Sequence, residues 1–137
     1  MASFSDYLEQ GLLNHVFSLT GAFAQPIISI GLYTVIPTDV AGSGTEVLNS
    51  NAYARTADIK GTSNWTSSGT TQVANDNNID FTEATGNWGT VLAMAISDSA
   101  TYGAGNQLMW SGFTGVAIET GDTARFVAAT GVVITLD

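Results

Sequence analysis

The most metal-like pattern in the chain is a run of oxygen-bearing side chains at nearly alternate positions. Its members are Asp76, Asn78, Asp80 and Glu83. Calcium loops begin with this spacing, but they also need a glycine at their sixth position and a glutamate at their twelfth. Those positions hold Phe81 and Asn87. We therefore interpret the run as the polar face of a strand, on which alternate side chains line up, and keep calcium as the alternative.

Residues for covalent or acid–base catalysis are scarce. The chain has no cysteine and one histidine, His15. This excludes a disulfide scaffold, a thiolate metal site, a cysteine nucleophile and a multi-histidine zinc site. A Ser-His-Asp triad could be built only through His15, and the 12 acidic residues form no concentrated motif that indicates a glycosidase. We expect a protein that is not an enzyme and binds no cofactor, with His15 on a helix surface or at an interface.

Three tryptophans could either stack against a sugar or pack inside a core or interface. Trp88 and Trp110 lie in strongly apolar segments, which favours the core. Trp65 lies in a Ser/Thr-rich segment, residues 61–71, which makes it the better candidate for an exposed contact. Core or subunit interface is the preferred interpretation of the set, and glycan binding is the alternative.

Charge and composition narrow the class of protein further. The 137 residues include 3 Lys plus Arg and 12 Asp plus Glu, so the formal charge is −9. Three cations are too few to displace the counterions of nucleic acid. Charged residues make up 11% of the chain, against about 25% in an average soluble domain. No apolar run approaches the ~18 residues of a membrane span, and the start carries no basic signal-peptide region. This composition is typical of a β-rich extracellular or virion protein, and we expect it to be made in the host cytoplasm and to stay there until assembly.

The elements that must position these residues begin with one amphipathic helix. Residues 4–17 carry apolar side chains at helical spacing, and Ser3 is the predicted N-cap. A helix of this length is marginal on its own in water, so it must dock on its own sheet or on a neighbouring subunit. The prediction is an N-terminal arm over residues 1–24, followed by a single domain over residues 25–137.

Beyond the helix, short apolar segments alternate with Gly- and Asn-rich turns, which predicts strands. The predicted strands are residues 27–36, 53–59, 72–81, 88–97 and 107–118, with a hairpin made of 123–128 and 132–136. Gly115 is the predicted site of a β-bulge. The pattern indicates an all-β fold, an antiparallel β-sandwich or jelly-roll-like domain of about seven to eight strands with one N-terminal amphipathic helix.

Three segments together carry a resemblance to a known family. They are residues 2–17 (ASFSDYLEQGLLNHVF), 78–98 (NIDFTEATGNWGTVLAMAISD) and 119–137 (ETGDTARFVAATGVVITLD). Between them, IGLYT at 30–34, a loop at 37–46 and YAR at 53–55 follow in the family's order. The chain resembles a family of small tailed-bacteriophage virion proteins, labelled head decoration (cement) proteins or tail-fibre-like proteins.

The resemblance implies a virion structural protein and leaves open whether it belongs to the head or the tail. The preferred hypothesis is a capsid cement protein, a homotrimer on the capsid exterior that stabilises contacts between major capsid proteins. The alternative is a tail-associated, fibre-like protein that binds a host surface glycan. For the cement hypothesis the predicted partner contacts are Phe4, Tyr7, Leu8, Leu12, Phe17 and Trp65. In the alternative the helix attaches the protein to the tail and Trp65 contacts the glycan.

Overall fold

The computed structural model describes residues 3–19, 23–40, 42–68 and 71–135. These residues contain one helix, α1 (Asp6–Val16), and ten strands. The strands are β1 (Ser3–Phe4), β2 (Ser29–Val35), β3 (Thr45–Glu46), β4 (Trp65–Ser68), β5 (Gln72–Asn75), β6 (Ile79–Asp80), β7 (Gly89–Ser97), β8 (Gln107–Ile118), β9 (Arg125–Phe126) and β10 (Val133–Thr135). Every strand pair in the described chain is antiparallel, which confirms the predicted all-β class with a single helix.

The main sheet has five strands in the order β1-β8-β7-β2-β3. Its centre is β7, whose nearly continuous apolar sequence is buried on both faces, as a central strand requires. The register places Ile30 opposite Ile96 and Tyr33 opposite Ala93. Because successive side chains point to opposite faces, isoleucines line one face of the sheet, and small alanines line the other.

The long strand β8 bends at a bulge. Val116 pairs with Val91 and Gly112 with Ala93, so three residues of β8 lie opposite Leu92 alone. Gly115 is one of the three, and a Cβ at that position would lie 2.8 Å from the Leu92 side chain. The bulge predicted at Gly115 is confirmed.

Two smaller sheets, β10-β5-β4 and β6-β9, surround the isoleucine face of the main sheet. One apolar core joins them to it. Its buried members are Leu8, Ile30, Leu32, Val47, Tyr53, Ile79, Phe81, Ala84, Trp88, Val91, Met94, Ile96, Leu108, Ile118 and Val132. Trp65 of β4 and Phe126 of β9 pack against this core from the smaller sheets.

The predicted strand at residues 72–81 is divided into β5 and β6. The buried side chain of Asn75 explains the break: its amide nitrogen donates to the carbonyls of Asn77 (2.8 Å) and Val127 (3.0 Å). Its oxygen accepts from the N–H of Val132 at 2.9 Å. These bonds replace ladder partners and turn the chain.

The predicted hairpin of residues 123–128 with 132–136 is wrong in its pairing. β9 pairs with β6, and β10 pairs with β5, so the two segments lie in different sheets. Both predicted segments contain a strand, but each is shorter than predicted, and the turn signals carry no information about the distant partner strands.

Two segments between β2 and β5 also differ from the prediction. Residues 53–59 are irregular, although they run beside β2, where the N–H of Thr56 donates to Ile30 O at 3.0 Å and that of Ile59 to Ile28 O at 2.8 Å. The Ser/Thr-rich segment at residues 61–71, which is not among the predicted strands, contains β4. Thr and Trp have a high propensity for strands, so this segment forms a strand when it pairs with β5.

The N-terminal segment is attached to the main sheet. Ser3–Phe4 pair with Trp110 and Met109 of β8, so Ser3 is not the N-cap. The cap is Ser5, whose hydroxyl accepts from the N–H of Leu8 and donates to the carbonyl of Gln107. The first described residues of the predicted arm, 3 and 4, therefore belong to the main sheet. The helix α1 starts at Asp6.

Candidate functional site

The largest group of exposed apolar side chains on the helix lies at its C-terminal end, which we call the helix-end surface. Its members are Leu12, Leu13, Val16, Phe17 and Leu19. Each is between 40% and 70% exposed. Their spacing of three and four residues places them side by side on the helix and in the turn that follows it. Exposed apolar side chains grouped in this way mark an interaction surface.

The face of the helix that carries Leu8 is covered by the chain itself. Leu8 belongs to the core at 7% exposure, and Phe4 packs against that core. Phe23 returns to the helix, where its ring lies against Gly11 and 6.1 Å from the ring of Tyr7. Its N–H donates to Nδ1 of His15 at 3.2 Å. The helix is therefore docked on its own domain, and the helix-end surface is the largest group of apolar helix side chains that this docking leaves exposed.

The six predicted contact residues separate into three groups. Leu8 is a core residue, because the docked helix turns it towards the sheet, and it offers no contact area. Phe4 and Trp65 are half-buried, and the Trp65 indole N–H donates to Ile59 O at 2.6 Å. Tyr7, Leu12 and Phe17 remain exposed, so their role in partner contact stays a prediction. The other two tryptophans are also anchored, since their indole N–H groups bond to the carbonyl of Asn51 and the carboxylate of Asp39.

Three members of the oxygen-bearing run that suggested calcium bond to neighbouring segments of the chain. Asp80 is paired with Arg125, and the carboxylate of Asp76 accepts from the Thr66 hydroxyl. The amide oxygen of Asn78 accepts from the N–H of Ala128 at 2.9 Å. Across residues 3–19, 23–40, 42–68 and 71–135 no three His, Cys, Asp or Glu side chains are grouped to hold a metal.

Each lysine and arginine of the described chain has a carboxylate partner. Arg125 pairs with Asp80, and Lys60 pairs with Asp58 at 2.9 Å. Arg55 pairs with Glu46 at 2.7 Å, with both side chains less than a tenth exposed. The surface therefore has no group of free lysine or arginine side chains in the part of the chain that is described.

The buried pair of Arg55 and Glu46 is the centre of a polar cluster on the alanine face of the main sheet. Nε and Nη2 of Arg55 donate to the two Glu46 oxygens at 2.8 and 2.7 Å, and the hydroxyl of Tyr53 donates to one of them at 2.9 Å. Burial first, and then the neighbouring Glu46 charge, raise the pKa of Tyr53 far above its usual range. Gly31 leaves room for the carboxylate, because a Cβ there would lie 2.8 Å from it.

The same arginine holds a second loop in place. Its Nη1 donates to the carbonyls of Ser99 (3.0 Å) and Ala104 (2.9 Å), which lie in the connection between β7 and β8. Beside these contacts lies a cavity of about 250 Å³. Its walls include Tyr33, Arg55, Tyr102 and Gln107, together with the glycine-containing loops at residues 42–44 and 103–105.

Sequence reasoning missed this cluster. The alternation at residues 53–59 placed Tyr53 and Arg55 on one face, which is the only local signal of a shared role. Glu46 lies seven residues before Tyr53 in the short strand β3, whereas Gln107 lies far along the chain in β8. Their meeting is a product of sheet order, which one sequence does not contain.

The described residues contain no helix that is long and apolar enough to cross a membrane. A small all-β domain with a docked helix, an exposed apolar helix end and paired cations has the character of a subunit in a larger assembly. The profile of a family described as "Podophage GP4 fiber I protein gp80" matches residues 3–135. The chain belongs to this family and is a structural protein of a bacteriophage virion, which confirms the resemblance. A search of curated proteins found no match.

Proposed function

We propose that this protein is a fibre-associated subunit that attaches to a neighbouring virion protein through the helix-end surface. The exposure of five apolar side chains at the end of a docked helix carries the proposal. The family description, which names a fibre protein, supports the fibre over other virion locations.

The energetics favour attachment by this surface. Burying one large apolar side chain contributes about 1.5–3 kcal/mol, so covering even two or three of the five produces a useful affinity after the cost of association. Phe17 is the expected centre of the interface, because aromatic side chains dominate binding energies. Its 67% exposure leaves most of the ring available to a partner.

The partner surface should be apolar with a basic rim. Glu9 lies one helical turn before Leu12 and Leu13, at the edge of the helix-end surface. The lysine and arginine side chains of the described chain are paired with carboxylates elsewhere. Basic groups on the partner would steer the two surfaces together and reject wrong partners.

A capsid cement role is the second candidate. The chain is a single short domain, and its sequence contains none of the repeats expected of a fibre stalk. In this role the helix-end surface would hold a homotrimer on the outer head surface and bridge adjacent major capsid proteins.

Copy number separates the two candidates. Quantitative mass spectrometry of purified particles, with the major capsid protein as the internal standard, gives the number of copies per particle. A few copies per particle, as a small set of fibres would contain, would support the fibre proposal. A copy number comparable with that of the coat protein would support the cement role. Absence from purified particles would contradict both.

A further inference from the structure

We infer that the outer edge of β8 binds an extended, uncharged segment of a neighbouring virion protein, which joins the main sheet as an added strand. We call residues 113–117 of β8 the open edge. The added strand would place apolar side chains in a cavity beside this edge. Because the open edge and the helix-end surface share no residue, the inference does not depend on how the protein attaches to the virion.

The first observation is a long strand with little pairing on one side. β7 pairs along β8, whereas on the other side of β8 the described chain places only β1, at Met109 and Trp110. The carbonyl of Ile118 accepts from the N–H of Trp88 at 2.9 Å on the β7 side. Neighbouring residues of a strand direct their backbone groups to opposite sides, so those of Ala117 point away from the sheet. Another extended chain can satisfy backbone groups presented in this way.

The second observation is that the open edge carries little protection. Natural sheet edges are shielded by charged residues, by proline or by a covering segment. The sequence of β8, QLMWSGFTGVAI, contains no charged residue and no proline, and residues 114–117 are exposed. The bulge at Gly115 is the edge-blunting feature that β8 does carry, and a bulge also fixes the register of a strand that pairs with it. The edge therefore suits an uncharged partner strand.

The third observation is an apolar cavity of about 310 Å³ beside the open edge, which we call the β8 cavity. Phe113, Val116 and Ile118 of β8 line it together with residues 123–126. Val116 is 52% exposed, so the cavity opens to solvent at this edge. A dry cavity of about 150 Å³ holds one benzene ring. The β8 cavity therefore has room for a large apolar side chain and a smaller one beside it.

The edge and the cavity together favour a peptide over a small molecule. The backbone groups of the edge need donors and acceptors that repeat along a chain. Side chains at positions i and i+2 of a strand point to the same face, about 7 Å apart, so two of them can enter the β8 cavity. Strand addition of this kind takes its affinity from main-chain hydrogen bonds and its specificity from pockets for alternate side chains.

A strand from a different protein is favoured over a second copy of this chain. Each copy has a formal charge of −9, so two copies repel each other. Pairing two copies through this edge would also place one bulged strand against another, and a bulge disrupts the ladder locally. The expected partner segment has apolar side chains at alternate positions, at least one of them large, and no charge.

Amide hydrogen exchange tests the inference on the protein in the phage particle. Exchange at residues 113–117 would be measured by mass spectrometry in the free full-length chain and in purified particles. Because an added strand would bond the outward amides, we expect their exchange to be about tenfold slower or more in particles. Equal exchange rates in the two states would overturn the inference.

A charged variant locates the protection. Val116→Lys places a charge at the mouth of the β8 cavity, and edge lysines oppose strand pairing. Val40→Lys is the matched control, because Val40 is 64% exposed and lies outside the edge and the cavity. In particles, Val116→Lys should exchange at residues 113–117 as fast as the free chain, while Val40→Lys keeps the slow exchange. Slow exchange in Val116→Lys would contradict strand addition at this edge.

Cross-linking identifies the occupant and does not require Val116→Lys to fold. A photoreactive benzoylphenylalanine in place of Ala117 would be irradiated in purified particles. We expect a cross-link to an uncharged segment of a different virion protein. A cross-link to a second copy of this chain, or no cross-link, would overturn the inference. Attachment through the helix-end surface is measured separately, as copies per particle, so either proposal can fail alone.

Discussion

Arg55 and Glu46 meet in a two-point ion pair, with N–O distances of 2.8 and 2.7 Å, although both side chains are less than a tenth exposed. The pair connects the short edge strand β3 to the connection between β7 and β8, through the Arg55 bonds to the Ser99 and Ala104 carbonyls. It therefore forms one wall of the cavity of about 250 Å³ and fixes the loop that forms another.

Removing one charge of this pair should destabilise the fold strongly. In Glu46→Gln the guanidinium of Arg55 stays buried without its counter-charge, and losses of this kind cost about 3–5 kcal/mol. Urea unfolding followed by tryptophan fluorescence measures the change. The control is Asp80→Asn, which breaks the exposed Asp80–Arg125 pair and should change the unfolding free energy little. Equal effects from the two variants would contradict the structural role of the buried pair.

A pH dependence is expected at Asp58. The N–H of Ile28 at 3.0 Å, and then Lys60, hold the pKa of this carboxyl at about 2, against an ordinary value of 3.8. Because the folded value is the lower one, the stabilisation is complete above about pH 4 and is lost as the pH falls towards 2.

Thermal unfolding at several pH values between 5 and 2 checks this prediction. The melting temperature of Asp58→Asn should fall less over this range than that of the natural chain. Lys60→Met removes the second cause of the shift and should give an intermediate slope. Identical slopes in the natural chain and Asp58→Asn would show that other carboxyls cause the acid sensitivity.

Truncating a buried side chain and an exposed side chain of the helix should reduce the stability by very different amounts. Leu8→Ala leaves a cavity in the core, which costs about 2–5 kcal/mol. Leu13 is 52% exposed, so Leu13→Ala should change the unfolding free energy by about 0.5 kcal/mol or less. Chemical denaturation of both variants gives the comparison. A helix that is undocked in solution would make the two losses equal.

Two glycines should differ in their tolerance of a methyl group. A Cβ at Gly131 would lie 2.5–2.7 Å from backbone atoms of Val127 and Phe126, which cannot move aside. A Cβ at Gly115 would meet only the ends of the Leu92 and Thr90 side chains, which can rotate. Gly131→Ala should therefore destabilise by about 1–3 kcal/mol, and Gly115→Ala by less. The reverse order in thermal unfolding would contradict the geometry at the residue 127–131 turn.

The sequence predicts best where a pattern is local and strong. The predicted strands 88–97 and 107–118 match β7 and β8 to within one residue at each end. A long run of apolar and β-branched residues favours a buried strand over other local structures. The helix was also predicted, although Ser5 replaces Ser3 as its cap because residues 3–4 find a partner in β8. The local sequence around Ser3 indicates a possible cap but does not show that residues 3–4 pair with β8.

The rest of the fold depends on contacts between distant residues. The pairing of β9 and β10 with separate strands follows from sheet order, and so does the place of Gln107 of β8 in the same cavity wall as Arg55. Trp65 shows the same limit, since a polar neighbourhood in sequence suggested exposure, but its ring packs against the core. Local composition reports a residue's neighbours along the chain and not those across the fold.

Incorporation of helix-end variants into virions tests the central proposal most directly. Phage that carry Leu13→Ser with Phe17→Ser would be purified, and copies of this protein per particle measured by quantitative mass spectrometry. Leu48→Ser is the matched control, because Leu48 is 71% exposed and lies outside the helix-end surface. We predict that the double variant folds normally but is lost from particles, while Leu48→Ser is retained at the natural number. Full retention of the double variant would contradict attachment through the helix-end surface.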